Sequence, residues 1–302
     1  MLNDQSIKTE DIRIDPVHFL SKFRTTVEVL RLDLIHPVIS GNKWFKLKEY
    51  LKDAKKHNKK LLLTFGGAYS NHIVAAAVAA SLNQFKSIGI IRGEKPAILS
   101  HTLSEAIKYG MNVYFIGRDD YRQRKIPPEI FNQYDKEDIY MIDEGGYGEM
   151  GVEGAKEILR TTNASIYTHI LAAVGTGTTL AGLVQSSSQH QFVLGVSSLK
   201  NNYSMQGAIE KFISEKNKNR LTLIQDYHFG GYAKFTKPLI HCMNEWYRLA
   251  GIPSDFVYTG KLFFAVQDLL EKNYFPEQSK ILLIHSGGLQ GNQSLPNGTL
   301  IF

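Results

Sequence analysis

Ile170-Leu171-Ala172-Ala173-Val174-Gly175-Thr176-Gly177-Thr178-Thr179 reads as the end of a strand and the opening of a helix. The apolar run stops at a Gly-Thr-Gly-Thr-Thr loop, and a helical pattern follows through Gly182. A short apolar run that breaks on glycine and starts a helix is the repeating unit of a parallel sheet covered by helices. Amides unencumbered by side chains, with three hydroxyls at a helix N-terminus, suit a phosphate dianion. A P-loop would close on Gly-Lys-Ser or Gly-Lys-Thr, and none is present. A dinucleotide fingerprint needs an acidic residue about twenty positions on; the corresponding strand end here is Val196-Ser197-Ser198-Leu199-Lys200. The loop therefore suits a lone phosphate, and a purely structural turn is the other reading.

Outward from this segment the same alternation fills most of the chain. Apolar, β-branched runs at 60–65, 87–92, 112–116 and 138–142 are followed by helical patterns or polar loops. A later set occupies 167–174, 191–196, 221–227 and 280–285. The expected fold class is α/β, with two open parallel-sheet domains carrying helices on both faces. Between the two sets, residues 144–154 hold five glycines, which permit sharp redirection. This stretch is expected to pass the chain between domains, giving a large domain of 1–50 plus 156–302 and a small one of 51–155. The polar stretch 214–220 reads as a surface loop.

The bulk numbers agree with an ordinary globular protein. Of 302 residues, 43% are hydrophobic and 21% charged, so nothing argues for disorder or fibre. The net charge of +6 gathers partly in Lys55-Lys56-His57-Asn58-Lys59-Lys60. No aromatic stacking pattern accompanies that run, so it is expected to be a solvated helix end rather than a nucleic-acid patch. Cys242 stands alone, which excludes an internal disulfide and a cysteine zinc site and fits a reducing cytoplasm. No metal site is expected. No apolar run approaches the roughly 18 residues of a membrane span, and the polar start carries no targeting pattern.

Open α/β sheets bind ligands beyond the carboxyl ends of their strands, and two more loops lie at such ends. Gly66-Gly67-Ala68-Tyr69-Ser70-Asn71-His72 follows a strand and precedes an Ala-rich helix, so its amides point at an anion, although Ser70 and Asn71 are also ordinary helix caps. His285-Ser286-Gly287-Gly288 offers a hydroxyl at the last strand end. Lys43 lies in Ser40-Gly41-Asn42-Lys43-Trp44-Phe45-Lys46-Leu47, at the head of a helix whose apolar positions are Trp44, Leu47 and Leu51. By default it is a solvated helix lysine. A Schiff base requires a neutral amine, whereas a free lysine has a pKa of about 10.4; burial and a neighbouring cation such as Lys46 would lower it.

Taken together, these residues resemble the family of 1-aminocyclopropane-1-carboxylate (ACC) deaminases and D-cysteine desulfhydrases, pyridoxal 5'-phosphate enzymes of the tryptophan-synthase-β fold. Gly41-Asn42-Lys43-x-x-Lys46-Leu47 looks like that family's cofactor-lysine motif, with Phe45 where an arginine usually stands. Gly67-x-x-Ser70-Asn71-His72, Gly175–Thr179, Tyr258-Thr259-Gly260-Lys261 and His285–Gly288 match further motifs in order. The resemblance implies that the cofactor lies in the cleft between the domains, with Lys43 as its Schiff-base lysine and proton carrier. It implies phosphate binding by Lys46 with Gly175, Thr176, Gly177, Thr178 and Thr179. It assigns the ring oxygen to Asn71 and the pyridine nitrogen to Ser286. It places the substrate carboxylate on Ser70 and the amides of Asn71 and His72, lets Ser70 exchange protons, and lines the amino-acid pocket with Asn42, Tyr232, Tyr258 and Thr259. Tyr258 is a further catalytic candidate, and the partner expected is a small amino acid, with a second copy of the chain making a homodimer.

ACC deaminases of the family resemble each other in carrying Glu after the position of Tyr258 and Leu after that of His285, where this chain has Thr259 and Ser286. A hydroxyl supplies no counter-charge to a protonated pyridine nitrogen, so the electron sink is weaker. A weaker sink serves departure of a good β leaving group such as thiolate better than opening of an unactivated cyclopropane. The expected reaction is D-cysteine desulfhydrase-type elimination, with ACC deamination as the nearest alternative. A catalytically silent binding protein on the same fold and a nicotinamide oxidoreductase are the readings from other classes.

Overall fold

The structure, a computed structural model, describes residues 6–302. The strands along the chain are β1 Ile14–Pro16, β2 Thr26–Arg31, β3 Leu61–Gly66, β4 Lys86–Arg92, β5 Met111–Ile116, β6 Ile139–Ile142, β7 His169–Val174, β8 Phe192–Ser197, β9 Leu221–Ile224 and β10 Lys280–His285. The helices are α1 Asn42–Lys56, α2 Asn71–Leu82, α3 His101–Lys108, α4 Arg118–Arg122, α5 Pro128–Gln133, α6 Glu149–Lys156, α7 Thr178–Ser186, α8 Met205–Glu210, α9 Glu215–Lys218, α10 Lys237–Ala250 and α11 Thr259–Glu271. They form two compact units, Met1–Asn42 with Ala155–Phe302 and Lys43–Gly154. Against the expected boundaries, Lys43–Tyr50 fall with the smaller unit, because this stretch of α1 packs there, and Ala155 falls with the larger. The Tyr50 hydroxyl donates to the Tyr147 carbonyl at 2.7 Å, and a Cβ on Gly154 would collide with the Phe45 carbonyl.

The larger unit is a six-stranded sheet in the order β1-β2-β10-β7-β8-β9, parallel except for the β1 edge. Parallel strands buried on both faces favour unbroken apolar runs, which is why β7 and β10 are legible in sequence. On one face Val27, Val29, Leu171, Ala173, Leu194, Ile281 and Leu283 pack with Trp246 of α10 and Leu262, Phe263 and Val266 of α11. The opposite face takes α7, so close to β8 that a Cβ on Gly195 would overlap Leu180. The smaller unit is a parallel sheet in the order β5-β4-β3-β6. Leu61, Leu63, Phe65, Ile88 and Ile90 pack with Tyr121 of α4 and Ile130 of α5, and Ile73 of α2 lies against Gly66 and Gly89 on the other face.

The α/β class with two parallel sheets is thus observed, and the eight runs read from sequence are strands. The run at 221–227 stops at Ile224. Two strands go beyond that reading, β1 and β2. Polar residues disguise β2, yet Glu28 accepts the Tyr167 hydroxyl at 2.6 Å and Arg31 is buried in ion pairs. The stretch 214–220 is not a plain surface loop: it contains α9, and Arg220 is buried, donating to Ser187 Oγ, Asn217 Oδ1 and the carbonyls of Val184, Ser188 and Gln191. The basic run at the end of α1 is exposed except for half-buried Lys59, as expected of a solvated helix end.

Each sheet reverses its strand order once. In the larger unit the chain steps from β7 to β8 to β9 on one side, while β10 adds to β7 on the other. In the smaller unit β3, β4 and β5 proceed one way and β6 adds to β3 on the other side. A reversal leaves a crevice beyond the carboxyl ends of the two strands that flank it. Those crevices receive 175–179 and 286–288 in one unit, and 67–72 and 143–147 in the other.

Arg31 ends β2 in the larger sheet, holding Asp33 by two bonds of 2.7 and 2.8 Å and Asp15 at 2.7 Å. Burial pushes the Asp33 carboxyl up, but His285 and Arg31 outweigh it and hold the pKa below its ordinary value. Replacing Arg31 by Met strands a buried carboxylate. Arg31→Met is expected to lose about 3–5 kcal/mol of stability in urea unfolding, with the loss shrinking as pH falls and Asp33 protonates; a loss under about 1 kcal/mol at neutral pH contradicts the pairing described.

Candidate functional site

In the smaller unit, the loop after β3 leaves its polar groups unspent. Ser70 occupies the N-cap position of α2 with extended backbone angles, but its side chain makes no capping hydrogen bond. Its amide donates to the Gly67 carbonyl at 3.0 Å. The cap reading of Ser70 therefore holds for its backbone alone. Asn71 is buried with its side-chain oxygen unpaired, and His72 is buried with Nδ1 unpaired.

Hydrogen-bond bookkeeping fixes the His72 tautomer. The Thr64 hydroxyl donates to the Ile142 carbonyl at 2.7 Å, so at 2.8 Å it accepts from His72 Nε2. The proton sits on Nε2 and Nδ1 presents a lone pair. Burial, then the charges of Lys46 and Lys43, push the His72 pKa well down and keep the ring neutral.

Lys46 is the unusual cation of this unit. It is 3% exposed, and its ammonium donates to the Gly145 carbonyl. Burial first, and then Lys43 one turn earlier on α1, push its pKa well below the ordinary lysine value. The turn that brings Gly145 into place has φ of 70° and 65° at Gly145 and Gly146, and a Cβ on Gly146 would stand 3.6 Å from the Lys46 Cβ and 3.8 Å from His72 Cε1. Lys46, His72 and Gly146 thus gather beyond the carboxyl ends of β3 and β6. Lys43 is half-buried, and the deeper burial of the pair falls on Lys46. Phe45 is buried beneath the Lys48 ammonium, 5.3 Å from its ring centroid.

In the larger unit, Gly177 has φ 82°, and a Cβ there would lie 3.0 Å from the Met205 sulfur, so only glycine fits the turn into α7. Thr178 and Thr179 are buried, and the Thr176 and Thr178 hydroxyls stand 3.1 Å apart. Asn42 donates to Thr179 Oγ1 at 2.7 Å, which makes it a brace on the glycine loop. Gly41, with φ 64°, lies so close to the Ser286 carbonyl that a Cβ would overlap it. The Ser286 hydroxyl makes no hydrogen bond to another described residue. Tyr258 lies over the same loop, its hydroxyl 3.1 Å from where a Cβ on Gly175 would be, and its ring meets that of half-exposed Tyr232 edge-on at 6.2 Å.

The larger unit therefore brings together Asn42, Gly175–Thr179, Tyr232, Tyr258 and Ser286, and the smaller unit brings together Lys43, Lys46, Ser70, Asn71 and His72. Thr259 is a correction to the substrate-contact reading. It is fully buried, its hydroxyl donates to Asp255 Oδ1 at 2.7 Å, and it accepts from the Asp255 amide at 2.7 Å. That hydroxyl is spent on fastening the start of α11. The Asp255 carboxylate also accepts the amides of Val257, Tyr258 and Thr259 at 2.9–3.0 Å, so it holds Tyr258 in place.

Sequence reasoning assigned no role to Lys261. Its ammonium is fully buried and donates to the carbonyls of His228, Gly231 and Ser198 at 2.9, 2.8 and 3.4 Å. Burial lowers its pKa to about 8, with Asp255 resisting. Three carbonyls for three N–H donors pin the segment that leads to Tyr232. The Tyr-Thr-Gly-Lys match was the available signal, but spacing alone does not reveal a carbonyl cage. Among the described residues no cluster of side chains could hold a metal ion, and no helix is long and apolar enough to cross a membrane.

Comparison with known proteins gives a family match to "Pyridoxal-phosphate dependent enzyme" over residues 9–287. A Thermotoga maritima protein, provisionally named a 1-aminocyclopropane-1-carboxylate deaminase, is 30% identical, over 91% of this chain and 94% of its own. An Arabidopsis thaliana mitochondrial protein, named a bifunctional D-cysteine desulfhydrase/1-aminocyclopropane-1-carboxylate deaminase, is 27% identical, over 88% of this chain and 73% of its own. A solved structure described as an ACC deaminase homologue aligns with TM-score 0.79 at 27% identity, over 93% of this chain and 90% of its own.

The Thr64–His72 geometry sets an expected spectrum. In long-range nitrogen–proton NMR, His72 should show the neutral Nε2–H pattern with no titration near the ordinary histidine value of 6.5. In Thr64→Val that tautomer should lose its preference. A midpoint close to 6.5 in the parent protein contradicts the burial and charge balance described.

Proposed function

The chain belongs to the family of pyridoxal-phosphate-dependent enzymes, and on that footing we propose that it is a lyase or deaminase of a small amino acid whose reaction is D-cysteine-type elimination to pyruvate, sulfide and ammonia. Its cofactor is pyridoxal 5'-phosphate, which makes a nicotinamide chemistry unnecessary. When bound, the cofactor supplies an electron-withdrawing ring that takes up the electron pair released at the substrate α-carbon.

The residues present fit that group. Lys46 is a buried cation with no carboxylate partner among the described residues, a placement that is costly unless it is neutral or meets an anion. The Gly175–Thr179 amides at the head of α7 form a second anion site. The family resemblance assigns the cofactor phosphate to each of them. The ring oxygen is an acceptor, so Asn71 would serve it through its side-chain NH2, while its buried, unpaired Oδ1 stays an acceptor.

In this reading Lys43 would hold the cofactor through Nζ and, once displaced by the substrate's amino group, would accept the α-proton there as a free amine. Ser70 Oγ, free of capping duty, binds the substrate carboxylate with the amides of Asn71 and His72. Neutral His72 adds no charge that would compete for the carboxylate. Tyr258, fixed by Asp255, closes the amino-acid pocket with Tyr232. Water enters once the thiolate has left, and the amino group departs as ammonia.

Ser286 is the observation that carries the choice of D-cysteine. The family resemblance assigns the pyridine nitrogen to Ser286, at the end of β10, and its hydroxyl brings no counter-charge. ACC deamination to 2-oxobutyrate and ammonia is the second reading, favoured by the name of the Thermotoga relative.

The test is keto-acid release by the holoenzyme from D-cysteine, L-cysteine, D-serine and ACC. D-cysteine should be turned over best, and Lys43→Ala should cut the rate by roughly 10²–10⁴-fold. Turnover of ACC but not of D-cysteine reverses the order of the two readings. No keto acid from any of the four favours a silent binding protein.

A further inference from the structure

Four arginines meet at the carboxyl edge of the smaller sheet. β4 ends on Arg92, α4 begins on Arg118 and ends on Arg122, and Arg124 follows two residues later. With Tyr121 and Glu144 they line a cavity of about 620 Å³. None of them has a part in the reaction proposed above.

The charges in this cavity are incompletely matched. Arg122 pairs with Asp119 at 2.5 Å, and Arg124 lies 3.6 Å from Glu144. Arg92 and Arg118 have no carboxylate within ion-pair distance among the described residues. Aromatic rings hold two of the guanidinium groups instead: Arg92 and Arg124 each lie 5.6 Å from the Tyr121 centroid, and Arg124 lies 5.0 Å from that of Phe65. Arg124 has φ 55°, a left-handed backbone that side chains seldom adopt, so local structure holds it there against preference. Burial and then Glu144 raise the Tyr121 pKa, which keeps its hydroxyl a proton donor.

Four exposed guanidinium groups against two carboxylates leave two positive charges lining one concavity, a local excess that attracts an anion. The volume suits a small molecule. Planar N–H forks suit phosphate oxygens, which they bind in pairs. We propose that this cavity is a second phosphate-recognition site, distinct from the Gly175–Thr179 loop, and that it takes a dianionic phosphate group, free or as a small phosphomonoester.

The cavity adjoins the substrate loop. Arg92 Nη2 lies 3.9 Å from where a Cβ on Gly67 would stand, and Phe65, under Arg124, comes two residues before Gly67. The cavity thus lies beside the backbone that leads to Ser70.

The test uses holoenzyme, so that the loop reserved for the cofactor phosphate is already engaged. Inorganic phosphate and glycerol phosphate are each titrated calorimetrically, with ionic strength held constant by chloride. The proposal expects saturable one-to-one binding of at least one of them, weakened at least tenfold in Arg92→Gln/Arg118→Gln and in Arg118→Gln alone by a smaller factor. Cofactor absorbance and melting temperature of both variants should match the parent. Tighter binding of glycerol phosphate identifies an ester as the ligand, and equal or tighter binding of inorganic phosphate identifies the free ion. Absence of saturable heat with either, or unchanged affinity in the double variant, overturns the proposal.

Discussion

Each parallel sheet of this protein reverses its strand order once. Such a reversal leaves a crevice outside the carboxyl ends of the two strands that flank it. In the larger unit the reversal lies between β7 and β10, in the smaller between β3 and β6. Gly41, Asn42, Gly175–Thr179, Tyr258 and Ser286 are tied together by contacts at the first; Lys46, His72 and Gly146 gather at the second. The hydrogen-bond ladder of the strands thus decides where chemistry is possible, and the side chains decide which chemistry.

Charge is the second layer. A buried ammonium without a carboxylate is a cost of several kcal/mol, which shows in the lowered Lys46 pKa and is offset in part by the Gly145 carbonyl. The larger unit handles Lys261 differently, surrounding it with three carbonyls. One lysine is left in need of an anion, and the other is saturated. That contrast separates a ligand-binding cation from a structural one more sharply than burial alone, since both are almost completely buried.

Much of this was legible in the sequence. Unbroken apolar runs ending on glycine announced β3, β7 and β10 and the loops beyond them, because a parallel strand buried on both faces tolerates few polar residues. Where polar side chains are satisfied by partners distant in the chain, the signal vanished. β2 was hidden by Glu28, which serves Tyr167, and by Arg31, which serves Asp15 and Asp33. Arg220 looked like part of a surface loop, and its five partners lie in α7, α9 and the turn before β8. Thr259 sat in a motif beside Tyr258, yet its hydroxyl turns to Asp255, four residues back. Spacing finds the loop, but only packing tells which hydroxyls in it remain available.

Two lysines one helical turn apart compete for the central role, and the physical arguments divide between them. Lys46 has the depressed pKa that makes an amine nucleophilic, but it is sealed at 3% exposure and donates to Gly145. Lys43 is half-buried and next in the chain to Asn42, which braces the glycine loop. Borohydride reduction of the holoenzyme followed by peptide mapping fixes the cofactor to the lysine that carries it. The account predicts the pyridoxyl mass on Lys43 alone, and a label on Lys46, or on neither lysine, contradicts it.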